Sequence, residues 1–164
     1  MRGVSKQEVE IELKKRLETA SEKDVQEAVG RVAEVIKKVS ESGVLRKELA
    51  KVKLLGYALK DYWNGKYREI PYGSIAAIAV AILYILNPVD LIPDVIPVVG
   101  QIDDAMVLSL VWKMVSEDVR QYAIWKINSA DVAEKVKIER LYKETFGDRC
   151  CEVRISENSG KNLD

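Results

Sequence analysis

The stretch IPYGSIAAIAVAILYILNPVDLIPDVIPVVGQIDD, Ile70 to Asp104, decides the fold, and the rest of the chain is read outward from it. No charged side chain occurs from Ile70 to Val89, and Ile75 to Leu86 is apolar at every helical position rather than along one stripe. A helix that is apolar all round has to be enclosed, either by protein or by lipid. Punctuation follows. Asn87-Pro88-Val89-Asp90 has the order of a helix start: a favoured N-cap, a proline whose missing amide hydrogen costs nothing at the first helical position, and a carboxylate in the first turn. Pro93-Asp94 repeats the combination, and Pro97 and Gly100 stop a long helix from continuing. Asp103 and Asp104 then stand where a second apolar helix, about Ala105 to Val115, is expected to begin, close to its free amides. The region reads as an apolar helical hairpin, residues 70–115, broken by a Pro/Asp-rich turn.

Amphipathic helices lie upstream. Ser5 and Glu8 form a capping-box pattern, after which Val9, Leu13 and Leu17 recur at helical spacing to about Ala20. Ser21 with Asp24 starts a second helix whose stripe runs through Val25, Ala28, Val29, Val32, Ile36 and Val39, with Gly43 expected as a left-handed C-cap. A third helix is expected from Leu45 to Trp63, stopped by Asn64-Gly65. Downstream, separate polar helices are expected from Ser116 to about Ile127 and from about Asp131 to Phe146, ended by Gly147. Nothing alternates like a strand. The fold class is all-α, a helical bundle around the hairpin: residues 1–43 an N-terminal helical pair, 44–127 the core, 128–147 a last helix, and 148–164 a tail with little to bury and expected to be disordered. The lysines and arginines opposite the stripes, among them Lys14, Lys15, Arg16, Lys37 and Lys38, are expected to be solvated surface.

Composition narrows the function. Basic and acidic residues each number 26 in 164, so the chain lacks the positive excess with which proteins displace counterions from nucleic acid. Histidine is absent, which removes the commonest general base near neutral pH and the commonest transition-metal ligand. A metal site would need hard oxygen ligands and would hold magnesium or calcium. The adjacent Cys150 and Cys151 can neither staple distant segments nor complete a zinc site, and are read as free thiols in a reducing compartment. The N-terminal MRGVSKQEVEIELKK runs directly into charged residues, the expectation for a chain that starts in the cytoplasm.

Asn87, Pro88, Asp90, Leu91, Ile92, Pro93 and Asp94, followed by Gly100, Asp103 and Asp104, resemble the defining Asn-Pro-x-Asp-Leu-Ile-Pro-Asp and Gly-x-x-Asp-Asp elements of domain-of-unknown-function family 1232, the YkvA-like proteins. Tyr67, Ile70, Pro71 and Trp125 also fit that pattern, so the resemblance covers roughly Leu45 to Trp125. It implies a small, mainly helical and often membrane-associated protein, and implies no reaction, substrate or cofactor. Related segments occur in some membrane-embedded ubiquitin ligases, but the Cys and His set of a RING domain is absent here.

Location is balanced between two arguments. Tyr72 to Leu86 would make a helix of about 22 Å against a hydrocarbon layer of about 30 Å, too short for a simple span. Yet Lys51, Lys53, Lys60, Lys66 and Arg68 precede the hairpin, Lys113, Arg120 and Lys126 follow it, and its turn carries only aspartates, the asymmetry of a hairpin entered from the cytoplasm. Tyr67, Tyr72 and Trp112 are candidate interfacial anchors. The first expectation is a non-catalytic, membrane-associated module on the cytoplasmic side, its hairpin inserted into or lying against the bilayer and its N-terminal helices binding a protein partner or a second copy. The alternatives are a soluble cytoplasmic helical interaction domain with the hairpin as its core, and a magnesium or calcium site or hydrolase at Asp90, Asp94, Asp103 and Asp104.

Overall fold

The computed structural model describes residues 5–87 and 100–147, the latter with side chains from Asp104 onward. Among them the chain is all-α, with seven helices and no strand: α1 Lys6–Glu18, α2 Glu22–Gly30, α3 Val32–Glu41, α4 Leu49–Trp63, α5 Tyr72–Leu86, α6 Gly100–Ser129 and α7 Val132–Phe146, with a 3-10 turn at Arg46–Glu48 before α4. The hairpin turn from Pro88 to Val99 and the tail from Asp148 lie outside the described residues.

The helix starts follow from their caps. At α1 the Glu8 amide donates to Ser5 Oγ at 3.2 Å while the Ser5 amide donates to Glu8 Oε2 at 2.8 Å, the reciprocal pair the sequence indicates. At α7 the Glu134 amide donates to Asp131 Oδ1 at 2.9 Å. Gly65 and Gly147 adopt left-handed backbone, φ 76° and 79°, and end α4 and α7.

α5 is the axis of the molecule. Every residue from Ile75 to Ile85 is buried, none more than 5% exposed. α1, α2, α3, α4 and α6 all pack against it. A helix without a polar face thus has its enclosure in protein on all sides. Lys38 of α3 donates its ammonium to the Ile85 carbonyl at the C-terminal end of α5, where free carbonyls and the negative dipole end favour a cation. At the other end Ser74 Oγ donates to Asp118 Oδ2 of α6 at 2.6 Å. The stripes of α1, α2 and α3, Val9, Leu13, Val25, Ala28, Val32, Val35 and Val39, are likewise buried in the chain's own core.

Several expectations are corrected. The helix expected from Ser21 to Gly43 is divided at Arg31, whose φ and ψ of −112° and 11° leave the helical region. Its two halves have different neighbours, α2 lying chiefly on α5 and α3 on α4 and α5, and the weak helix former Gly30 adjoins the break. Gly43 is no left-handed cap: α3 ends at Glu41 with Ser42 extended, and Ser42 Oγ instead accepts from the Leu45 amide at 3.1 Å to open the next turn. Ser116 starts no helix, because the buried stripe Val107, Val111, Val115, Val119, Tyr122 runs through it and α6 is continuous. Arg16 and Lys38 are not simply solvated, since Arg16 pairs with Asp24 at 2.8 Å and Lys38 caps α5.

Candidate functional site

Of the four motif aspartates, Asp90 and Asp94 lie outside the described residues together with Pro88, Pro93 and Pro97, as does the Asp103 side chain. Asp104 is 3% exposed and sits one turn inside α6 rather than ahead of it, because α6 already begins at Gly100. Asn87 occupies the C-cap of α5, its amide donating to the Leu83 carbonyl at 2.8 Å. The described residues contain no group of three or more Asp, Glu, Cys or His side chains able to hold a metal ion.

The three aromatic residues separate. Tyr67 is 6% exposed in a ring cluster with Tyr122 at 5.4 Å and Trp125 at 4.8 Å. Burial, and behind it the charges of Glu69 and Asp118, push its hydroxyl pKa up. Tyr72, the first residue of α5, is exposed. Trp112 is half-buried on Phe146, with the Lys51 ammonium 5.5 Å from its ring centroid.

The densest buried chemistry lies elsewhere, where α4, α6 and α7 meet. Asp61 of α4, 7% exposed, accepts from the Tyr122 hydroxyl at 2.6 Å and from the Lys126 ammonium at 2.8 Å, both through Oδ2. Lys126, four residues after Tyr122 and so on the same face of α6, also meets Glu134 of α7 at 2.9 Å. Burial works against the Lys126 charge, yet the hydrogen bonds it donates to Asp61 and Glu134 outweigh it and raise the pKa. Burial first, then the Asp61 carboxylate, raises that of Tyr122 as well. At neutral pH the lysine therefore stays protonated and the tyrosine keeps its proton. Neither is poised as a base. The arrangement can clamp three helices together, and it borders a cavity of about 240 Å³ that Lys60, Lys66 and Lys137 also line.

Sequence reasoning missed this clamp. The signal was available: Asp61 falls three residues after Ala58 and seven after Leu54 on the buried side of α4, and Lys126 stands between Trp125 and Ile127. A charge on an apolar stripe asks for a buried partner. Its identity, Asp61 with Lys126, needs the tertiary fold.

The family-model match lies in a different part of the molecule. The family model described as Protein of unknown function (DUF1232) matches residues 74–110, from the first turn of α5 through the connecting segment into α6. The chain is also similar to "Uncharacterized membrane protein YkvA" of Bacillus subtilis (strain 168), 42% identical over 69 residues. That match covers 42% of this chain and 65% of the relative, less than two thirds of its length. No solved structure matches. The resemblance read from the Asn-Pro-x-Asp motif is thereby confirmed, and Asp61, Tyr122, Lys126 and Glu134 all fall outside the matched family segment.

Proposed function

We propose that the chain is a non-catalytic helical interaction module that associates with the cytoplasmic face of a membrane peripherally, with α5 serving as its protein-enclosed core. The observation that carries the reading is the burial of α5 from Ile75 to Ile85 on every face. It leaves no apolar side of that helix for lipid. Among the described residues no helix is long and apolar enough to cross a membrane. Association itself is supported by the similarity to a protein named as a membrane protein, and the cytoplasmic side by the exposed Lys66, Arg68 and Lys113 of the basic flanks, which the anionic cytoplasmic leaflet attracts. A non-catalytic role is supported by the mutual pairing of the buried Asp61, Tyr122 and Lys126. The partner is a protein or a second copy of the chain.

Fractionation of cells expressing the full chain, followed by an alkaline carbonate wash of the membranes, tests both halves of the proposal. The expected result is recovery with membranes at physiological salt and release by the wash. Complete recovery in the supernatant before the wash contradicts association. Retention after it contradicts the peripheral mode.

A further inference from the structure

The start of α2, the end of α4 and the start of α5 border a cleft of about 300 Å³, at the lower end of the size range of small-molecule sites. Glu22 opens α2, Tyr62 and Trp63 close α4, Tyr72 opens α5, and Arg68 comes from the connection between the last two helices. That connection is held in shape. Gly65, at φ 76°, turns the chain back, and the Lys66 and Tyr67 amides donate to the Asp61 carbonyl at 2.9 and 3.2 Å. Tyr67 and Ile70 are buried on either side of Arg68. The Arg68 guanidinium lies over the Tyr62 ring, 4.9 Å from its centroid, a contact that orients it without using its N–H donors.

Charge singles the cleft out. Glu22 and Arg68 are both exposed and carry opposite charges on the same cleft, yet neither makes a hydrogen bond or ion pair with the other or with any other described residue. A simple anion placed there meets the Glu22 carboxylate and a simple cation meets the guanidinium, whereas a ligand with one charge of each sign is attracted by both. The rings around the pair are amphipathic, Tyr62 and Trp63 half-buried and Tyr72 49% exposed. Such side chains sit well at the boundary between lipid headgroups and hydrocarbon. Because Arg68 covers a face of Tyr62, the rings do not close a cage around a methylated ammonium, and the Glu22 carboxylate asks for N–H donors instead.

We infer that the cleft takes the headgroup of a bilayer phospholipid that carries both a phosphate and a primary ammonium, the phosphate on Arg68, the ammonium on Glu22, and Trp63 and Tyr72 at the level of the headgroups. The inference rests on the peripheral association proposed above and names the face that makes it.

Sedimentation of the full chain with two sets of vesicles tests the assignment. Both contain the same fraction of phosphatidylglycerol, and the remainder is phosphatidylethanolamine in one set and phosphatidylcholine in the other, so surface charge is held constant. Binding about tenfold tighter to the ethanolamine set is expected. Glu22→Gln is expected to remove that preference, weakening binding to the ethanolamine set about tenfold while binding to the choline set stays equal or tightens, since loss of a carboxylate favours plain attraction to an anionic surface. Arg68→Gln should weaken binding to the ethanolamine set at least as much. Both side chains are exposed and unpaired, so both variants should keep the wild-type Tm, which separates loss of binding from loss of fold. Equal affinity of the wild type for the two sets, or tighter binding of Glu22→Gln to both, would overturn the inference and leave peripheral association standing. Binding to neither set would contradict association itself, and the inference with it. Binding of soluble glycerophosphoethanolamine without a preference between the vesicle sets would make a free headgroup the occupant and overturn docking through this cleft.

Discussion

Asp61 shows how much can rest on one side chain. Its Oδ2 serves both Tyr122 and Lys126, so Asp61→Ala removes the acceptor from a buried hydroxyl and the nearest counter-charge from a buried ammonium. Breaking one side of a buried pair costs about 3 to 5 kcal/mol, and urea denaturation of the variant is expected to show a loss of that order. Replacing the trio together, Asp61→Leu with Tyr122→Phe and Lys126→Met, removes both buried charges at once, leaves only the partly exposed Glu134 without its lysine, and is expected to recover most of it. Failure to recover would mean that the trio contributes more than mutual compensation.

Asp24 supplies a pH signature. Burial pulls its carboxyl upward, but the hydrogen bonds from Arg16 and from the Ser21 amide win and hold its pKa below the ordinary value. The folded chain therefore binds that proton less tightly than the unfolded chain. The stabilisation is complete above the ordinary Asp pKa of about 3.9 and disappears as pH falls through the lowered folded value. Asp24→Asn should accordingly cost stability at neutral pH, with the gap to wild type closing as pH is lowered towards about 2. A gap that stays constant with pH would show that Arg16 contributes nothing through charge. Lys126 has the opposite sign, its raised pKa keeping its contribution intact until pH exceeds the ordinary lysine value of about 10.4.

Among the helices, α3 and α4 approach closely at Gly56. A Cβ at Gly56 would stand 2.6 Å from Val32 Cγ1, and Val32 is fully buried with a stiff β-branched side chain. Gly56→Ala is expected to destabilise by about 1 to 3 kcal/mol, although alanine is the better helix former, and Val32→Ala in the same chain should recover part of that loss. Independent, additive effects of the two substitutions would contradict the contact.

The same elements show what the sequence could and could not reveal. The uncharged run made α5 legible to its ends, and the Ser5, Gly65 and Gly147 caps were readable because each depends on residues a few positions apart. The break at Arg31 and the continuity of α6 through Ser116 were hidden. Both depend on which neighbour each buried stripe meets, and local periodicity does not encode that.

For the molecule as a whole, the question raised by a helix apolar all round is whether protein or lipid encloses it, and the packing of five helices about α5 answers protein. The basic flanks and the similarity to a named membrane protein then bear on where the folded bundle sits, not on how α5 is buried. Native-state hydrogen exchange on the purified full chain, with and without anionic lipid vesicles and in the absence of detergent, separates the two enclosures most directly. The account predicts that the amides of Ile75 to Ile85 exchange only through global unfolding, and that vesicles leave their protection unchanged. Fast exchange of these amides without lipid, with protection appearing only when vesicles are added, would contradict it.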